Sequence, residues 1–227
     1  MTKKNRLSLL ENSTASWGNI EDWTYPALDS LMESLKRVDP VTHDHCWRVA
    51  QASGRLAECM GLNEYQQKVA YATGLLHDIG KIGIPKDILH KPAQLTESEY
   101  ELVKNHPLIS EAIVAPLAQG NSFVAETLCG IRGHHERIDG RGYPDKKKGD
   151  EIPLMARIVL ISDTFDAMSS PRAYRKGLPI EAVYAELRKF SGLQFDAQIV
   201  KTFLEAHPTW KSGCVFQFEL SPTKKSA

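Results

Sequence analysis

The sequence predicts an all-α fold arranged as one helical bundle. Apolar residues recur at the three- and four-residue spacing of helices from Leu28 onward. Alternation of apolar and polar residues is nearly absent, and only GCVFQFEL near the C-terminus predicts a short strand. Of the 227 residues, 42% are hydrophobic, which is enough for one well-buried domain. We therefore expect a flexible arm over 1–22, a helical domain over 23–210 and a polar tail over 211–227.

The helices follow one another along the chain, each indicated by an apolar stripe or a cap. The first three stripes are Leu28, Leu31, Leu35 and Val38, then Val49, Ala52 and Leu56, then Val69, Ala72 and Leu76. Thr96 and Glu99 form a capping-box signature, Pro107 suits the first turn of the next helix, and Pro153 suits the start of PLMARIVLISDTFDAM. Two long glycine-bearing connections, 77–95 and 134–153, stand between helices and point to a functional site.

Composition excludes several classes of protein. Lys plus Arg and Asp plus Glu are equal at 28 each, so bulk charge does not favour long nucleic acid or an anionic membrane as a partner. No apolar run approaches the roughly 18 residues of a membrane span. The cysteines are widely spaced and indicate free thiols in a reducing compartment, which predicts a cytoplasmic protein; they are Cys46, Cys59, Cys129 and Cys214.

Residue types that ligate metals gather in one region of the chain. They are His45, the doublet His77-Asp78, His106, the doublet His134-His135, and Asp163. A single histidine is more often an ordinary surface or core residue, but each doublet stands where an apolar helix runs into a glycine-bearing loop. Both members of a doublet can reach one cluster near a helix end. Mixed imidazole and carboxylate ligands favour iron, manganese, zinc or nickel over magnesium or calcium.

Three segments carry a resemblance to a known family: YATGLLHDIGKIGIPKDILHKPAQLTESEYELVKNHP, HHERIDGRGYP and IPLMARIVLISDTFDAMSSPRAYR. Over residues 24–208 the chain resembles the HD-GYP family, a branch of the HD phosphohydrolases that hydrolyses cyclic di-GMP. The resemblance implies a five-helix HD core with additional N- and C-terminal helices. It also implies two metal ions, one lined by His45, His77, Asp78 and Asp163, and one held by Asp78 as the bridge with His106, His134 and His135.

The resemblance implies a metal-dependent phosphodiesterase. Two divalent ions would share a hydroxide that attacks cyclic di-GMP and yields linear pGpG and possibly GMP. Iron or manganese is the first expectation for these ions, and zinc or nickel is the second. Two other functions stay open: hydrolysis of another substrate, such as cyclic GMP-AMP or a simpler nucleotide phosphate, or a binding module without turnover. A homodimer or a signalling-protein partner also stays open.

Six residues are candidates for chemistry or substrate binding, and one of them, Asp78, is also an expected metal ligand. By the resemblance, Lys81 contacts the scissile phosphate, Asp78 is catalytic as the bridging carboxylate, and Tyr143 of the Gly-Tyr-Pro turn shapes the pocket. Arg172 and Arg175 are expected to fork onto phosphate oxygens, although Ala173 stands where the family usually has proline. Asp166 is a substrate-binding candidate, but supporting a ligand from behind or being a plain helix-surface acid fits it equally well.

The stretch DPVTHDHCWRV bears on how many metal ions bind. The resemblance selects His45, which precedes the Arg48-Val49 pair by three residues, and His43 reaches the same ion only if the helix begins after it. Family members with three ions place a glutamate four residues before this histidine, where this chain has Val41. We therefore predict two metal ions, with Asp44 or His43 as the only nearby substitutes for the missing carboxylate.

Overall fold

The computed structural model describes residues 20–171 and 176–210, and over these ranges it is built from helices. The α-helices are α1 (Thr24–Val38), α2 (Pro40–Cys59), α3 (Glu64–Leu76), α4 (Lys86–Leu89), α5 (Glu97–Val103), α6 (His106–Val114), α7 (Ser122–Gly133), α8 (Leu154–Ser169), α9 (Ile180–Lys189) and α10 (Ala197–Ala206). Short 3-10 turns cover Ile79–Gly83, Ala115–Ala118, Gly149–Glu151 and His207–Thr209. The described residues contain no strand, only an isolated bridge between Ser191 and Phe195, so the all-α prediction is confirmed.

Some predictions fall outside the described residues. These are residues 1–19 of the expected arm over 1–22, the arginines Arg172 and Arg175, and the short strand GCVFQFEL with the tail that follows it. Ile20 already packs against the core, three residues before the expected start of the domain. Among the described helices, none combines the length and apolar character needed to cross a bilayer.

Local sequence signals set where the helices begin. The Asp39 carboxylate accepts hydrogen bonds from the backbone N–H groups of Val41 and Thr42, both at 3.1 Å, and so caps α2. The predicted capping box of Thr96 and Glu99 forms at the start of α5. Pro107 lies in the first turn of α6, and Pro153 directly precedes α8.

Helix α2 is central, because it contributes to both hydrophobic clusters of the core. One cluster joins α1, α2, α3 and α7 and includes Leu28, Leu35 and Leu76. The other joins α2 to α8, α9 and α10 and includes Leu56 and Phe203. Fully burying each such side chain contributes about 1.5–3 kcal/mol. The site described below is therefore built on rigid, packed helices.

Two glycines allow close backbone contacts next to the site described below. A Cβ at Gly74 of α3 would lie 2.9 Å from the Ala50 Cα of α2, so the two backbones touch. A Cβ at Gly80 would lie 2.2 Å from the carbonyl oxygen of His106, which begins α6. The Ser110 hydroxyl fastens this contact, since it donates to the His77 carbonyl and accepts from the Gly80 N–H, both at 2.8 Å. The long connection over 77–95 is thus ordered, and it contains the 3-10 turn Ile79–Gly83 and α4.

Candidate metal centre

The seven predicted metal ligands converge from five parts of the fold. His45 lies within α2 and Asp163 within α8, while the His77-Asp78 doublet follows α3, His106 begins α6, and the His134-His135 doublet follows α7. Ligands at helix ends are possible here because the chain leaves helical geometry there, so adjacent side chains turn toward one point. His77, Asp78, His106 and His134 are each at most 2% exposed.

The Asp78 carboxylate lies between two groups of donor atoms. Its Oδ2 is 3.3 Å from His77 Nε2 and 3.7 Å from His45 Nε2. Its Oδ1 faces the other way, 3.1 Å from His106 Nε2. Asp163 joins the first group, with Oδ1 3.0 Å from His45 Nε2. One carboxylate thus offers one oxygen to each group, which is the geometry of a bridging ligand.

The second group is a triad of histidines. The ligand atoms that His106, His134 and His135 offer all lie within 4.8 Å of one another. His106 Nε2 and His134 Nε2 are 3.1 Å apart. The same holds for the first group, where the ligand atoms of His45, His77 and Asp78 meet within 4.8 Å.

Backbone carbonyls fix the tautomer of three of these histidines. The Nδ1 atoms of His77, His106 and His134 lie 2.8, 2.7 and 2.6 Å from the carbonyl oxygen three residues earlier. A carbonyl can only accept, so each Nδ1 carries a proton, and in the neutral ring the lone pair of each Nε2 faces the centre. In the neutral form of both rings, the Nε2 lone pairs of His106 and His134 therefore point at each other.

Two buried polar atoms in the centre, His77 Nε2 and Asp78 Oδ1, have no hydrogen-bond partner among the described residues. Burying such atoms unpaired costs about 1–3 kcal/mol each. Cations placed among the lone pairs would satisfy them and remove the repulsion between the facing nitrogens. The donor set therefore fits divalent metal ions.

Electrostatics favour the metal-binding form of several of the predicted ligands. Burial, with repulsion from His106, lowers the pKa of His135 to about 3. Burial also lowers the pKa of His134 well below its ordinary value. Burial alone would raise the pKa of Asp78, but His77 and Lys81 outweigh it and hold that pKa well below the usual range. His77 and His45 differ. Burial would lower both pKa values, but Asp78 outweighs it at His77, and Asp163 and Asp166 outweigh it at His45. Both pKa values are therefore raised, and a metal ion would displace a proton from each ring.

Asp166 lies directly behind His45. Its Oδ2 is 2.7 Å from His45 Nδ1, and Arg48 forks onto the same carboxylate with Nε at 2.6 Å from Oδ1 and Nη2 at 3.0 Å from Oδ2. Burial would raise the pKa of Asp166, but His45 and Arg48 lower it below its ordinary value. The carboxylate is thus buried against the predicted ligand His45, so Asp166 is not a plain helix-surface acid. Arg48 is a site residue for which the sequence pattern predicted no role, although its spacing of three from His45 places both on one helix face.

Lys81 lies on the rim of the first group. Its ammonium donates to Asp78 Oδ2 at 2.5 Å. Burial would lower the pKa of Lys81, but Asp78 outweighs it and raises that pKa, so the side chain stays charged. The predicted lysine therefore lies beside the Asp78 carboxylate.

The Gly-Tyr-Pro turn folds back onto the His134-His135 doublet. A Cβ at Gly142 would lie 2.5 Å from the His135 carbonyl oxygen and 2.5 Å from the Arg137 nitrogen, so only glycine fits. The Tyr143 N–H donates to the same carbonyl at 3.3 Å. The Tyr143 ring stacks on the His135 ring, with centroids 4.7 Å apart and an interplanar angle of 29°. The turn therefore sets one wall of the centre.

Ion pairs and hydrogen bonds hold the rest of the connection over 134–153 in place. Arg137 forks onto Asp139 at 3.0 and 2.8 Å. The buried Glu136 carboxylate accepts from the Asp145 N–H at 2.6 Å, and Arg132 forks onto the Asp145 carboxylate at 2.8 and 2.7 Å. These contacts hold the turn against α7.

The segment before His45 offers no further ligand to the centre. Helix α2 begins at Pro40, so His43 and His45 both lie within it and point about 200° apart. His43 Nδ1 pairs with Asp44 Oδ1 at 2.9 Å, and the Val41 side chain is 72% exposed. Within residues 20–171 and 176–210, two groups of side chains could each hold a metal ion, and neither group includes His43 or Asp44.

Comparison with known proteins identifies the family. A family profile described as an HD domain matches residues 26–199. The chain belongs to the HD domain family. The HD-GYP resemblance is confirmed by a cyclic di-GMP phosphodiesterase of Thermotoga maritima, which is 39% identical over 208 residues, covering 89% of this chain and 55% of the relative.

Two further relatives are also named as phosphodiesterases of cyclic dinucleotides. The cyclic di-GMP phosphodiesterase response regulator RpfG of Xanthomonas campestris is 35% identical, covering 93% of this HD domain protein and 56% of the relative. The 3'3'-cGAMP-specific phosphodiesterase 1 of Vibrio cholerae is 40% identical over 70% of this chain and 36% of the relative. The chain thus spans about half the length of the first two relatives.

Solved structures support the HD fold. An HDG"Y"P protein from Bdellovibrio bacteriovorus superposes with a TM-score of 0.60 at 17% identity, over 89% of this chain and 67% of that one. A cyclic GMP-AMP specific phosphodiesterase of V. cholerae gives a TM-score of 0.56 at 21% identity, over 81% and 48% of the two chains. These similarities establish the fold, an all-α HD bundle.

Proposed function

We propose that this HD domain hydrolyses cyclic di-GMP with the help of two divalent metal ions. The observation that carries the proposal is the Asp78 carboxylate, whose two oxygens face two separate groups of histidine donors. The curated relatives named cyclic di-GMP phosphodiesterases support the choice of substrate.

Each ion has a complete set of donors in this proposal. His45, His77, Asp78 and Asp163 hold one ion, and Asp78, His106, His134 and His135 hold the other. Three imidazoles beside a shared carboxylate suit iron or manganese, with zinc or nickel as the next choices. When bound, the ions acidify the attacking water and neutralise charge on the phosphodiester oxygens.

The chain's own residues then bind and orient the substrate. Lys81, whose ammonium already lies at the bridging carboxylate, neutralises charge on the scissile phosphate. Tyr143, stacked on His135, limits how the substrate enters beside the second ion. Arg172 and Arg175 contact phosphate oxygens in this proposal, and Asp166 holds the His45 ring in its ligating tautomer.

The product and the metal content are measured together on protein purified without oxygen. Elemental analysis is expected to find two metal ions per chain, and separation of the reaction products is expected to show linear pGpG, with GMP if a second cleavage follows. His134→Gln removes one donor and should lower both metal content and turnover. Protein that binds cyclic di-GMP with both metals loaded, yet leaves it intact, would support a binding module instead.

A second candidate substrate is 3'3'-cyclic GMP-AMP. It is favoured by one observation, the 40% identity to a V. cholerae protein named as specific for that dinucleotide. Side-by-side measurement of kcat/KM for cyclic di-GMP, cyclic GMP-AMP and cyclic di-AMP decides between them. A tenfold preference for the mixed dinucleotide would replace cyclic di-GMP as the proposed substrate.

A further inference from the structure

The Lys104 side chain lies between two tyrosine rings at the edge of the metal centre. Its ammonium is 5.6 Å from the centroid of the Tyr100 ring and 5.5 Å from that of Tyr143. Tyr143 in turn stacks on His135, with ring centroids 4.7 Å apart. A single aromatic ring therefore separates the lysine charge from a proposed metal ligand.

The position of Lys104 in the chain also brings it to the centre. It caps the C-terminal end of α5, two residues before His106, which begins α6. The side chain of Lys104 is 27% exposed, and Tyr100 is 50% exposed, so solvent and ligands reach the ammonium. A half-exposed tyrosine ring beside an accessible cation suits a ligand that carries both aromatic and anionic groups.

The charge on Lys104 is weakly neutralised by protein groups. Its carboxylate partner, Glu101 at 2.8 Å, is 61% exposed and lies three residues away on the same helix, so solvent screens the pair. The other two cations described at the centre are more strongly engaged. Lys81 pairs with Asp78, which is 2% exposed, and Arg48 forks onto the Asp166 carboxylate, which is 10% exposed.

We propose that Lys104, held between Tyr100 and Tyr143, binds the second phosphate of a cyclic dinucleotide, the one that is not being cleaved. This inference rests on the proposed function. A cyclic dinucleotide carries two phosphates; the metal ions and Lys81 engage the scissile one, and the other needs a cation nearby. The two rings limit the motion of the lysine stem, so little side-chain entropy is lost when the ammonium meets a phosphate.

The test compares two substrates that differ in their number of phosphates. Bis(p-nitrophenyl) phosphate has one phosphodiester, whereas cyclic di-GMP has two. Lys104→Met keeps an unbranched apolar stem between the rings and removes the charge. We expect it to lower kcat/KM for cyclic di-GMP about tenfold more than for bis(p-nitrophenyl) phosphate, mainly through KM. Lys104→Arg keeps the charge and should restore most of the loss.

The chain offers a matched control in Lys189. That lysine also pairs with a glutamate three residues earlier, Glu186 at 3.9 Å, and also lies over an aromatic ring, Phe190 at 4.9 Å. It belongs to the end of α9, which contributes no donor to the centre. Lys189→Met should leave the kinetics of both substrates unchanged.

The outcomes separate this inference from the proposed function. If the wild-type protein hydrolyses cyclic di-GMP but Lys104→Met changes both substrates equally, or neither, Lys104 only braces Tyr143 and the inference is overturned while the function stands. If Arg172→Ala or Arg175→Ala alone shows the selective loss, the second phosphate binds there and the inference is likewise overturned. A wild-type protein that hydrolyses neither substrate would overturn both.

Discussion

Replacing Asp166 with asparagine should weaken metal binding without unfolding the protein. The carboxylate accepts from His45 Nδ1 at 2.7 Å and from both Nε and Nη2 of Arg48 at 2.6 and 3.0 Å. Asparagine keeps one acceptor oxygen and replaces the other with a donor. Whichever way the amide turns, a donor then faces a donor.

The conflict is relieved most easily at the histidine. Arg48 cannot give up a proton, but His45 can move its proton from Nδ1 to Nε2 and accept from the new amide. Nε2 then carries hydrogen and cannot ligate a metal ion. Loss of a supporting carboxylate behind a ligating histidine typically costs about 10- to 100-fold in metal affinity. That range corresponds to about 1.4–2.8 kcal/mol of binding free energy.

The assay is calorimetric titration of metal-free protein with Mn²⁺, together with circular dichroism to confirm the fold. Asp145→Asn is the matched control, because Arg132 forks onto Asp145 at 2.8 and 2.7 Å but no histidine contact with it is described. We expect Asp166→Asn to lose affinity for about one of two ions and Asp145→Asn to retain both. An Asp166→Asn protein with unchanged Mn²⁺ affinity and a raised KM for cyclic di-GMP would refute the tautomer argument and favour direct substrate binding.

Four other outcomes follow from the same geometry. Gly142→Ala forces a Cβ to within 2.5 Å of the His135 carbonyl, so chemical denaturation should show a loss of about 1–3 kcal/mol, and an unchanged midpoint would mean that the turn yields freely. Lys81→Met should lower kcat about 100-fold or more at constant metal content by elemental analysis, and a change in KM alone would count against a role at the scissile phosphate. Val41→Glu adds a carboxylate one turn before His45 and should raise metal content from two to three ions per chain; three ions already in the wild type would contradict the two-metal prediction. The folded-state pKa of His135 lies at about 3, below its ordinary value, so the unfolded chain binds more protons between about pH 6.5 and 3, and stability falls as the pH falls through that window. The urea midpoint of metal-free His135→Gln should therefore fall less steeply with falling pH than the midpoint of the metal-free wild type. Parallel curves for the two proteins would disprove this contribution of His135.

The sequence by itself determined the helical class, the places where helices begin, and the residue types at the centre. Apolar periodicity and caps act over three or four residues, so signals such as Thr96 with Glu99 are readable without the fold. The doublets His77-Asp78 and His134-His135 could also be recognised from local sequence, because each stands at the end of an apolar helix. The family resemblance then supplied their order and the expected ion pair.

Only the tertiary structure decided how those residues face one another. His45 and Asp166 are 121 residues apart in the chain, and their contact depends on how α2 packs against α8. The same packing aims the two oxygens of Asp78 at different donor groups, turns His43 away from the centre, and places Lys104 between two tyrosines. Long-range packing of helices sets the direction of side chains at a shared site, and local sequence patterns do not predict that direction.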